Sequence, residues 1–222
     1  MSAILFESIS TLADTSELQR ESFNKAFANH HLGWTWSRPE YLAMLDTSGG
    51  ADRVATYAQS RGEQVDADAV HATKSEIFQR DVATAHLQPR SHVAQTIAEA
   101  RIAGMKVALV TTTSAANVTA LLGALSPQVT PDMFDVIVDV TDVEQRKPAG
   151  EAYQYALDKL GENASDCVAI EDNVDGVNAA QAAGVTCVAF PNQNTAGHDF
   201  THADQRVDDV RLQDLTALLP NS

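Results

Sequence analysis

The chain has 222 residues, a formal net charge of −15 and a hydrophobic fraction of 44%. This length suits one α/β domain or one core with an inserted subdomain, and the apolar fraction can bury a sizeable core. Nucleic acid and anionic lipid are bound mainly through Lys and Arg, so the acidic balance argues against both partners. With no apolar run of about 18 residues and no signal-peptide pattern, we expect a cytoplasmic protein without a membrane span.

The first predicted element is a short strand over residues 3–6, with Glu7, Ser8 and Ile9 at its carboxyl end. The apolar run is too short for a helix, and it is typical of a buried strand in a parallel sheet. Ligands of open parallel sheets bind outside the carboxyl ends of the strands. The loop after residue 6 is therefore the first place to look for chemistry.

Residues 16–87 are predicted to form an all-helical insert, because they contain no strand pattern. Leu18, Phe23 and Phe27 recur at helical spacing behind Ser16 and Gln19, which fit a capping box. Helices are expected at 16–31, from Ser37-Arg38-Pro39 onward, at 51–61 and at 66–85.

Helices and strands alternate after Pro89, and this alternation indicates right-handed βαβ units and a parallel sheet. We therefore predict a Rossmann-like α/β core made of residues 1–15 and 88–222, with the helical cap of residues 16–87 inserted after the first strand. Helices are expected at 91–103, 115–124, 150–160, 174–183 and 211–219, and strands at 107–110, 136–140, 167–170 and 187–190.

Cysteine and histidine give little sign of a metal or redox site. Cys167 and Cys187 both fall in predicted core strands, where a free cysteine behaves as a small hydrophobic residue. His198 and His202 are four residues apart but lack further ligands at zinc spacing. We interpret the seven histidines as surface residues.

Polar side chains follow four of the predicted strands. They are Glu7, the run Thr111-Thr112-Thr113-Ser114, Lys147, and the pair Glu171-Asp172. Each alone has an ordinary structural explanation, such as a helix cap, a solvated turn or a favourable helix dipole. Together they suit a phosphate and a divalent cation, because hydroxyl and ammonium groups bind phosphate oxygens and carboxylates bind Mg²⁺.

Six segments carry a specific family resemblance along nearly the whole chain. The chain resembles the haloacid dehalogenase (HAD) superfamily, and within it the CbbY-like sugar-phosphate phosphatases of the β-phosphoglucomutase-like branch. The helical insert matches the cap of that family. The segments are SGGADRVATY at 48–57, HATKSEIF at 71–78, VTTTSAANVTALL at 110–122, RKPAGEAYQYAL at 146–157, AIEDNVDGVNAAQAAG at 169–184 and FPNQNTAGHDF at 190–200.

The resemblance implies that the ligand is a small phosphorylated metabolite. Thr111 would bind the transferring phosphoryl group, with Thr112 beside it, and Lys147 would stabilise its charge. Arg53 would reach the distal phosphate from behind the Gly49-Gly50 turn, although a neighbouring lysine common in the family is Ala51 here.

The resemblance also implies a weak Mg²⁺ site. Its ligands would be Glu7, the main-chain carbonyl of Ile9, and Asp172 together with Glu171.

The first motif departs from the family pattern DxDGTLxD, since residues 7–14 read ESISTLAD. Glu7 stands at the position of the nucleophilic aspartate, and its extra methylene moves the carboxylate by roughly 1 Å. Ile9 stands at the position of the general acid and base, and it cannot transfer a proton. Ser10 replaces a glycine, so a positive φ there would be less favourable. Ser16 and Gln19 stand where the family has Glu and His.

Three functions therefore remain open on sequence grounds. The first is a protein of phosphatase descent with absent or very slow hydrolysis, which keeps a Mg²⁺ or phosphate-ligand site. The second is a working phosphatase or dehalogenase-like hydrolase that uses Glu7 as its nucleophile. The third is a protein–protein interaction module that uses only the fold.

Overall fold

The computed structural model describes residues 2–45 and 49–220, and within them lies a six-stranded parallel sheet. The strand order is β3-β2-β1-β4-β5-β6, so the N-terminal strand lies inside the sheet between β2 and β4. This arrangement confirms the predicted parallel α/β core. The strands are β1 Ala3–Phe6, β2 Lys106–Val110, β3 Val136–Val138, β4 Cys167–Glu171, β5 Thr186–Ala189 and β6 Gln205–Arg206.

The helices fall into an inserted group and a group that covers the sheet. The inserted helices are α1 Ser16–Asn29, α2 Arg38–Leu42, α3 Gly50–Ser60 and α4 Ala67–Val82. The others are α5 Val93–Ile102, α6 Ala115–Leu125, α7 Glu151–Leu160, α8 Val174–Ala182 and α9 Leu212–Thr216.

The apolar strand β1 is buried on both faces. Ile4 and Phe6 belong to one hydrophobic cluster, and Ala3 and Leu5 belong to another, as the two-residue period of a strand requires. The inserted helices have a separate cluster around Trp36, whose ring is buried among other aromatic rings. An inserted cap needs a hydrophobic core of its own, and this cluster provides one. The boundaries of the cap at residues 16 and 87 stay a prediction.

The capping box predicted at the start of α1 is wrong. Ser16 and Gln19 do not form it, because α1 begins at Ser16 and its N-cap residue, Thr15, makes no side-chain cap hydrogen bond. The Ser16 hydroxyl instead donates to Asp14 Oδ1 at 2.6 Å, and Gln19 accepts a hydrogen bond from Lys74. A capping box does occur at α2, where Ser37 pairs with Glu40.

Some predicted elements are shorter in the structure. The strand expected over 136–140 ends at Val138, since Val140–Asp142 forms a 3₁₀ turn capped by Asp139. The closing helix expected over 211–219 spans Leu212–Thr216. The edge strand β6 was not predicted. Ser48, the first residue of the SGGADRVATY segment, lies outside the described residues.

Candidate active site

A cavity of about 670 Å³ lies between the carboxyl edge of the sheet and the inserted helices. All but one of the predicted site residues line it, and the exception is Glu171. The predicted residues that line the cavity are Glu7, Ile9, Gly49, Gly50, Arg53, Thr111, Thr112, Lys147 and Asp172. Strand ends distant in sequence therefore meet at one site, as the rule for parallel sheets predicts.

The carboxylate of Glu7 is held at both oxygens. Oε1 accepts hydrogen bonds from the Ser8 backbone N–H at 2.7 Å and from the Ser8 hydroxyl at 2.8 Å, while Oε2 pairs with the Lys147 ammonium. Burial raises the pKa of Glu7, but Lys147 and hydrogen bonds from Thr111 and Ser8 outweigh burial and lower it below its usual 4.5. Glu7 is therefore ionised at neutral pH.

Lys147 is buried and uses its three N–H donors inside the protein. They go to Glu7, to Glu171 Oε1 at 2.6 Å and to the Val110 carbonyl at 2.8 Å. Burial lowers the pKa of Lys147, but the charges of Glu171 and Glu7 outweigh burial and raise it above 10.5. A phosphate that approached Lys147 would compete with these carboxylates for its ammonium group.

Glu171 lies behind Lys147, outside the cavity lining. Its Oε1 also accepts a hydrogen bond from the Tyr153 hydroxyl at 2.6 Å. Its Oε2 has no hydrogen-bond partner among the described residues and packs against Gly176, where a Cβ would come within 1.9 Å. Burial raises the pKa of Glu171 to about 8, against the lowering effect of Lys147. The metal role implied for Glu171 gains no support from this position, which suits a partner of Lys147.

Asp172 faces the cavity and is fixed by neighbouring loops. Oδ1 accepts from the Thr11 hydroxyl at 3.0 Å, and Oδ2 accepts from Asn192 Nδ2 at 2.7 Å. Burial, together with the negative charge of Glu7, raises the pKa of Asp172 to about 6. The sequence analysis did not single out Asn192. It follows β5, and ligands of parallel sheets bind at the carboxyl ends of the strands.

The first-motif turn adopts the backbone that the family glycine would favour. Ser10 has φ of +67°, and its hydroxyl lies 3.0 Å from Thr15 Oγ1. The Ser10 carbonyl accepts a hydrogen bond from the Arg90 guanidinium at 2.8 Å. Ile9, just before this turn residue, lines the cavity, and its side chain cannot titrate.

The hydroxyl run after β2 forms a compact loop at the start of α6. Ser114 caps the helix, accepting from the Asn117 backbone N–H at 3.3 Å. Thr111 Oγ1 accepts from the Thr113 N–H at 3.3 Å, and the Asn117 amide donates to Thr113 Oγ1 at 2.8 Å. Thr111, Thr112, Thr113 and Ser114 all line the cavity.

The inserted helix α3 and the core segment between β3 and α7 each bring an arginine to the cavity. Arg53 and Arg146 line it, and Arg53 Nε donates to the Met44 carbonyl at 2.8 Å. Burial, together with the charges of Lys74, Arg146 and Arg53, lowers the pKa of His71 to about 4. Burial is the largest cause of this low pKa, and the three nearby cations add to it.

The two glycines before Arg53 have steric reasons to be glycine. Gly49 has φ of +100°, a conformation that side chains rarely adopt. A Cβ on Gly50 would come within 2.5 Å of the His71 ring. His71 is thus packed against the inserted helices, which differs from the surface position expected for every histidine. The substrate-binding roles of both glycines stay predictions.

Lys74 is a buried lysine that sequence reasoning missed. Its ammonium donates to Gln19 and lies 5.0 Å and 5.1 Å from the ring centroids of Phe23 and Phe78. Burial lowers its pKa to about 7, and the charge of Arg53 acts in the same direction. Its position on the apolar face of α4 was the available signal, since the register from Val70 to Phe78 turns residue 74 inward.

The carboxylates in the cavity can be tested for a fit to Mg²⁺. Residues 2–45 and 49–220 contain no group of three or more His, Cys, Asp and Glu side chains that could hold a metal ion. Glu7 and Asp172 nevertheless line one cavity, and the charge of Glu7 raises the pKa of Asp172. A cation would relieve this repulsion, and Mg²⁺ is often held by only one or two carboxylates plus water and phosphate oxygens. The pair fits Mg²⁺ on these terms.

Comparison with known proteins defines the class. Residues 4–190 match the model of the haloacid dehalogenase-like hydrolases, and the chain belongs to that family. Protein CbbY of Rhodobacter capsulatus is 36% identical over 214 residues, which cover 95% of this chain and 94% of the relative. Protein CbbY of Cereibacter sphaeroides is 38% identical over 210 residues, which cover 93% of this chain and 91% of the relative.

Solved structures give the same result for the fold. CbbY from Rhodobacter sphaeroides in complex with phosphate has a TM-score of 0.86 at 36% identity, with 94% of each chain covered. A mutant of that protein in complex with xylulose-1,5-bisphosphate has the same score and coverage. Within the part of this chain that the structure describes, no helix is long and apolar enough to cross a membrane.

Proposed function

We propose that this protein binds a small phosphorylated sugar in the cavity and hydrolyses it very slowly or not at all. The main support is the state of Glu7, whose two carboxylate oxygens are occupied by Ser8 and Lys147. A nucleophilic carboxylate must present one oxygen to phosphorus, so the contacts at that oxygen, with Ser8 or with Lys147, would have to rearrange first.

The chemistry of phosphoryl transfer argues in the same direction. A displacement of roughly 1 Å in a reacting group can reduce the rate on the order of 10²-fold. A positioned general acid contributes roughly 10²- to 10⁴-fold, and Ile9 cannot supply one. We propose that the two losses together reduce hydrolysis at least about 10³-fold relative to an active family member.

The ligand we propose carries two phosphates. One would lie by the Thr111-Thr112 hydroxyls and Lys147, and the other by Arg53 and Arg146, which also line the cavity. Arg53, Arg146 and Lys147 thus line one cavity of a chain whose net charge is −15. CbbY from Rhodobacter sphaeroides, whose crystals hold phosphate or xylulose-1,5-bisphosphate, supports the same ligand class.

Mg²⁺ is part of the proposal. Glu7, the Ile9 carbonyl and Asp172 would hold it, and the ion would neutralise charge on the ligand phosphate. The protein's own residues have separate roles in binding. Lys147 holds Glu7 in place, and the hydroxyl run donates to phosphate oxygens. The inserted helices cover the cavity and exclude water from it.

One observation favours an active hydrolase as the second candidate. Glu7 is ionised and lines the cavity, which a carboxylate nucleophile requires. This candidate needs a proton donor other than Ile9. The measurement of turnover distinguishes the two candidates.

The test combines turnover with binding. Hydrolysis of p-nitrophenyl phosphate and sugar phosphates is measured with and without Mg²⁺, and calorimetry follows inorganic phosphate, xylulose-1,5-bisphosphate and Mg²⁺. We expect phosphate ligands to bind, weak Mg²⁺ binding that disappears in Asp172→Ala, and weaker phosphate binding in Thr111→Val. Turnover in the ordinary range of about 1–10³ s⁻¹ would favour the active hydrolase, and absence of phosphate binding would contradict the proposal.

A further inference from the structure

A chain of side-chain hydrogen bonds joins the inserted helix α4 to the hydroxyl run. Gln79 Nε2 donates to Asn117 Oδ1 at 2.9 Å, and Asn117 Nδ2 donates to Thr113 Oγ1 at 2.8 Å. All three residues line the cavity. Gln79 lies on α4 and Asn117 on the first turn of α6, so the chain crosses from the cap side to the sheet side.

The direction of these hydrogen bonds determines what Thr113 can do. A hydroxyl group has one proton and accepts with its lone pairs. Because Thr113 Oγ1 accepts from Asn117, its own proton is available for donation elsewhere, and Thr113 lines the cavity. Hydrogen bonds that run in one direction also polarise one another, which makes the terminal hydroxyl a better donor to an anion.

Asn117 makes this direction dependent on the cap. The residue is 5% exposed, so its amide has little access to water. While Gln79 donates to Oδ1, the amide must present its Nδ2 group to Thr113. If Gln79 withdraws, Oδ1 loses its donor and the preference for this orientation weakens.

We infer that Gln79 and Asn117 are positioning residues that couple closure of the helical cap to anion binding by the Thr113 hydroxyl. The inference rests on the proposed function, because it assumes that a phosphate binds at the hydroxyl run. Linkage makes the coupling reciprocal: a phosphate that accepts from Thr113 stabilises the Gln79–Asn117 contact and so holds the cap closed. This gives the cavity a way to retain a ligand without any chemical step.

The sharpest variant reverses the direction of the chain. Gln79→Glu keeps the shape of the side chain but replaces the donor with a carboxylate. The Asn117 amide must then rotate to donate to the new carboxylate, and its Oδ1 faces Thr113. The Thr113 hydroxyl donates to Asn117 in that state and is lost to the ligand, whereas Gln79→Ala removes the contact without reversing it.

The experiment measures the affinity of the full chain for inorganic phosphate by calorimetry. We expect Gln79→Ala to weaken binding about two- to tenfold and Gln79→Glu at least about tenfold, as expected for neutral and charged hydrogen bonds. Gln128→Ala is the matched control, because it removes an exposed amide–amide hydrogen bond to Gln88 of 2.9 Å. This control should leave the affinity unchanged.

Thr113→Val separates the coupling from the simple repulsion of a new charge. In that background, Gln79→Glu should reduce the phosphate affinity by a clearly smaller factor than in wild type, since only the direct repulsion of the new charge remains. The same fold-change in both backgrounds would overturn the coupling and leave the proposed function intact. Failure of the wild-type protein to bind phosphate would overturn the proposed function and the coupling with it.

Discussion

Ser10 is a non-glycine residue in a left-handed backbone conformation within the loop that carries Glu7 and Ile9. Its φ of +67° is close to the left-handed helical region, where a Cβ costs roughly 1–2 kcal/mol. The surrounding contacts compensate for part of this cost: the hydroxyl lies 3.0 Å from Thr15 Oγ1, and Arg90 binds the carbonyl. The turn therefore accommodates a serine at positive φ.

The backbone strain at Ser10 can be measured with a pair of variants. Ser10→Gly and Ser10→Ala both lose the hydroxyl contact with Thr15, but only the alanine keeps a Cβ at positive φ. We expect the glycine variant to be more stable than the alanine variant by about 1 kcal/mol in urea unfolding. Equal stability of the two variants would show that the turn is not strained.

Lys74 gives the fold a pH dependence through its burial. Its pKa is about 7 in the folded protein and 10.5 as an ordinary lysine. Between these values the unfolded chain binds more protons than the folded one, so the contribution of Lys74 to stability rises with pH across this interval. Below about pH 7 the lysine is protonated in both states, and the fold bears the full cost of a buried charge.

Replacing Lys74 with methionine should remove this dependence. We expect Lys74→Met to be most favourable relative to wild type near pH 7, with its advantage shrinking by up to about 1.4 kcal/mol per pH unit as the pH rises. Urea unfolding at pH 7, 8 and 9 measures the difference. Lys25→Met, which removes a lysine 51% exposed and paired with Asp81, is the matched control. A difference that stays constant over this interval would contradict the prediction.

At the scale of elements, Arg90 joins the segment after the inserted helices to two loops of the site. Its guanidinium donates to the carbonyls of Ser10 at 2.8 Å, Phe190 at 2.8 Å and Pro191 at 2.6 Å. It also stacks on the Phe190 ring at 3.4 Å. The loop after β1 and the loop after β5 are thereby held together by one side chain.

Loss of this guanidinium should weaken the whole carboxyl edge of the sheet. We expect Arg90→Ala to reduce the free energy of unfolding by about 2–3 kcal/mol, because buried carbonyls lose a charged donor. Arg101→Ala is the control, since Arg101 is exposed and its guanidinium donates to the Met133 carbonyl at 2.9 Å. Unfolding of both variants in guanidinium chloride measures the difference. Equal losses of unfolding free energy would show that Arg90 does not stabilise the two loops more than an exposed arginine does.

The order of elements was largely predictable because it depends on local periodicity. Apolar strands alternated with helices. Because ligands bind at the carboxyl ends of parallel strands, Glu7, Lys147 and Asp172 could be assigned to one site. Strand β6 was missed because Gln205–Arg206 is short, exposed and polar. The capping box at Ser16 was wrong because the pattern of residue types fitted, but Asp14 and Lys74 compete for the same side chains.

Contacts between distant segments could not be predicted from the sequence. Tyr153 belongs to the apolar pattern of α7, and nothing in that pattern shows that its hydroxyl reaches Glu171. Gln79 and Asn117 lie on separate helices whose relative position depends on the docking of the insert. Such pairs have no characteristic spacing in the sequence, so only the folded structure identifies them.

At the scale of the whole molecule, one cavity collects most of the groups that the sequence predicts for phosphoryl transfer. The hydroxyl run, Lys147 and Asp172 all line it, and the departures proposed to limit hydrolysis are concentrated at Glu7, Ile9 and Ser10. We therefore predict that the deficit can be repaired locally. A site that had lost its architecture could not be repaired by changes in one loop.

Repair has an electrostatic cost. A new carboxylate at the position of Ile9 would join Asp172, whose pKa is already raised to about 6 by burial and by the charge of Glu7. Crowded carboxylates raise one another's pKa unless a cation is bound. The repaired protein should consequently be less stable than wild type without metal and should recover stability when Mg²⁺ binds.

The most direct test is the Mg²⁺-dependent hydrolysis of phosphate esters by the triple variant Glu7→Asp, Ile9→Asp, Ser10→Gly beside wild type. We predict measurable turnover in the triple variant and at least about 10³-fold less in wild type, with little gain from either carboxylate change alone, because nucleophile and acid act as a unit. A triple variant that folds, binds Mg²⁺ and cleaves no phosphate ester would contradict the account, and so would a wild-type protein that matches its turnover.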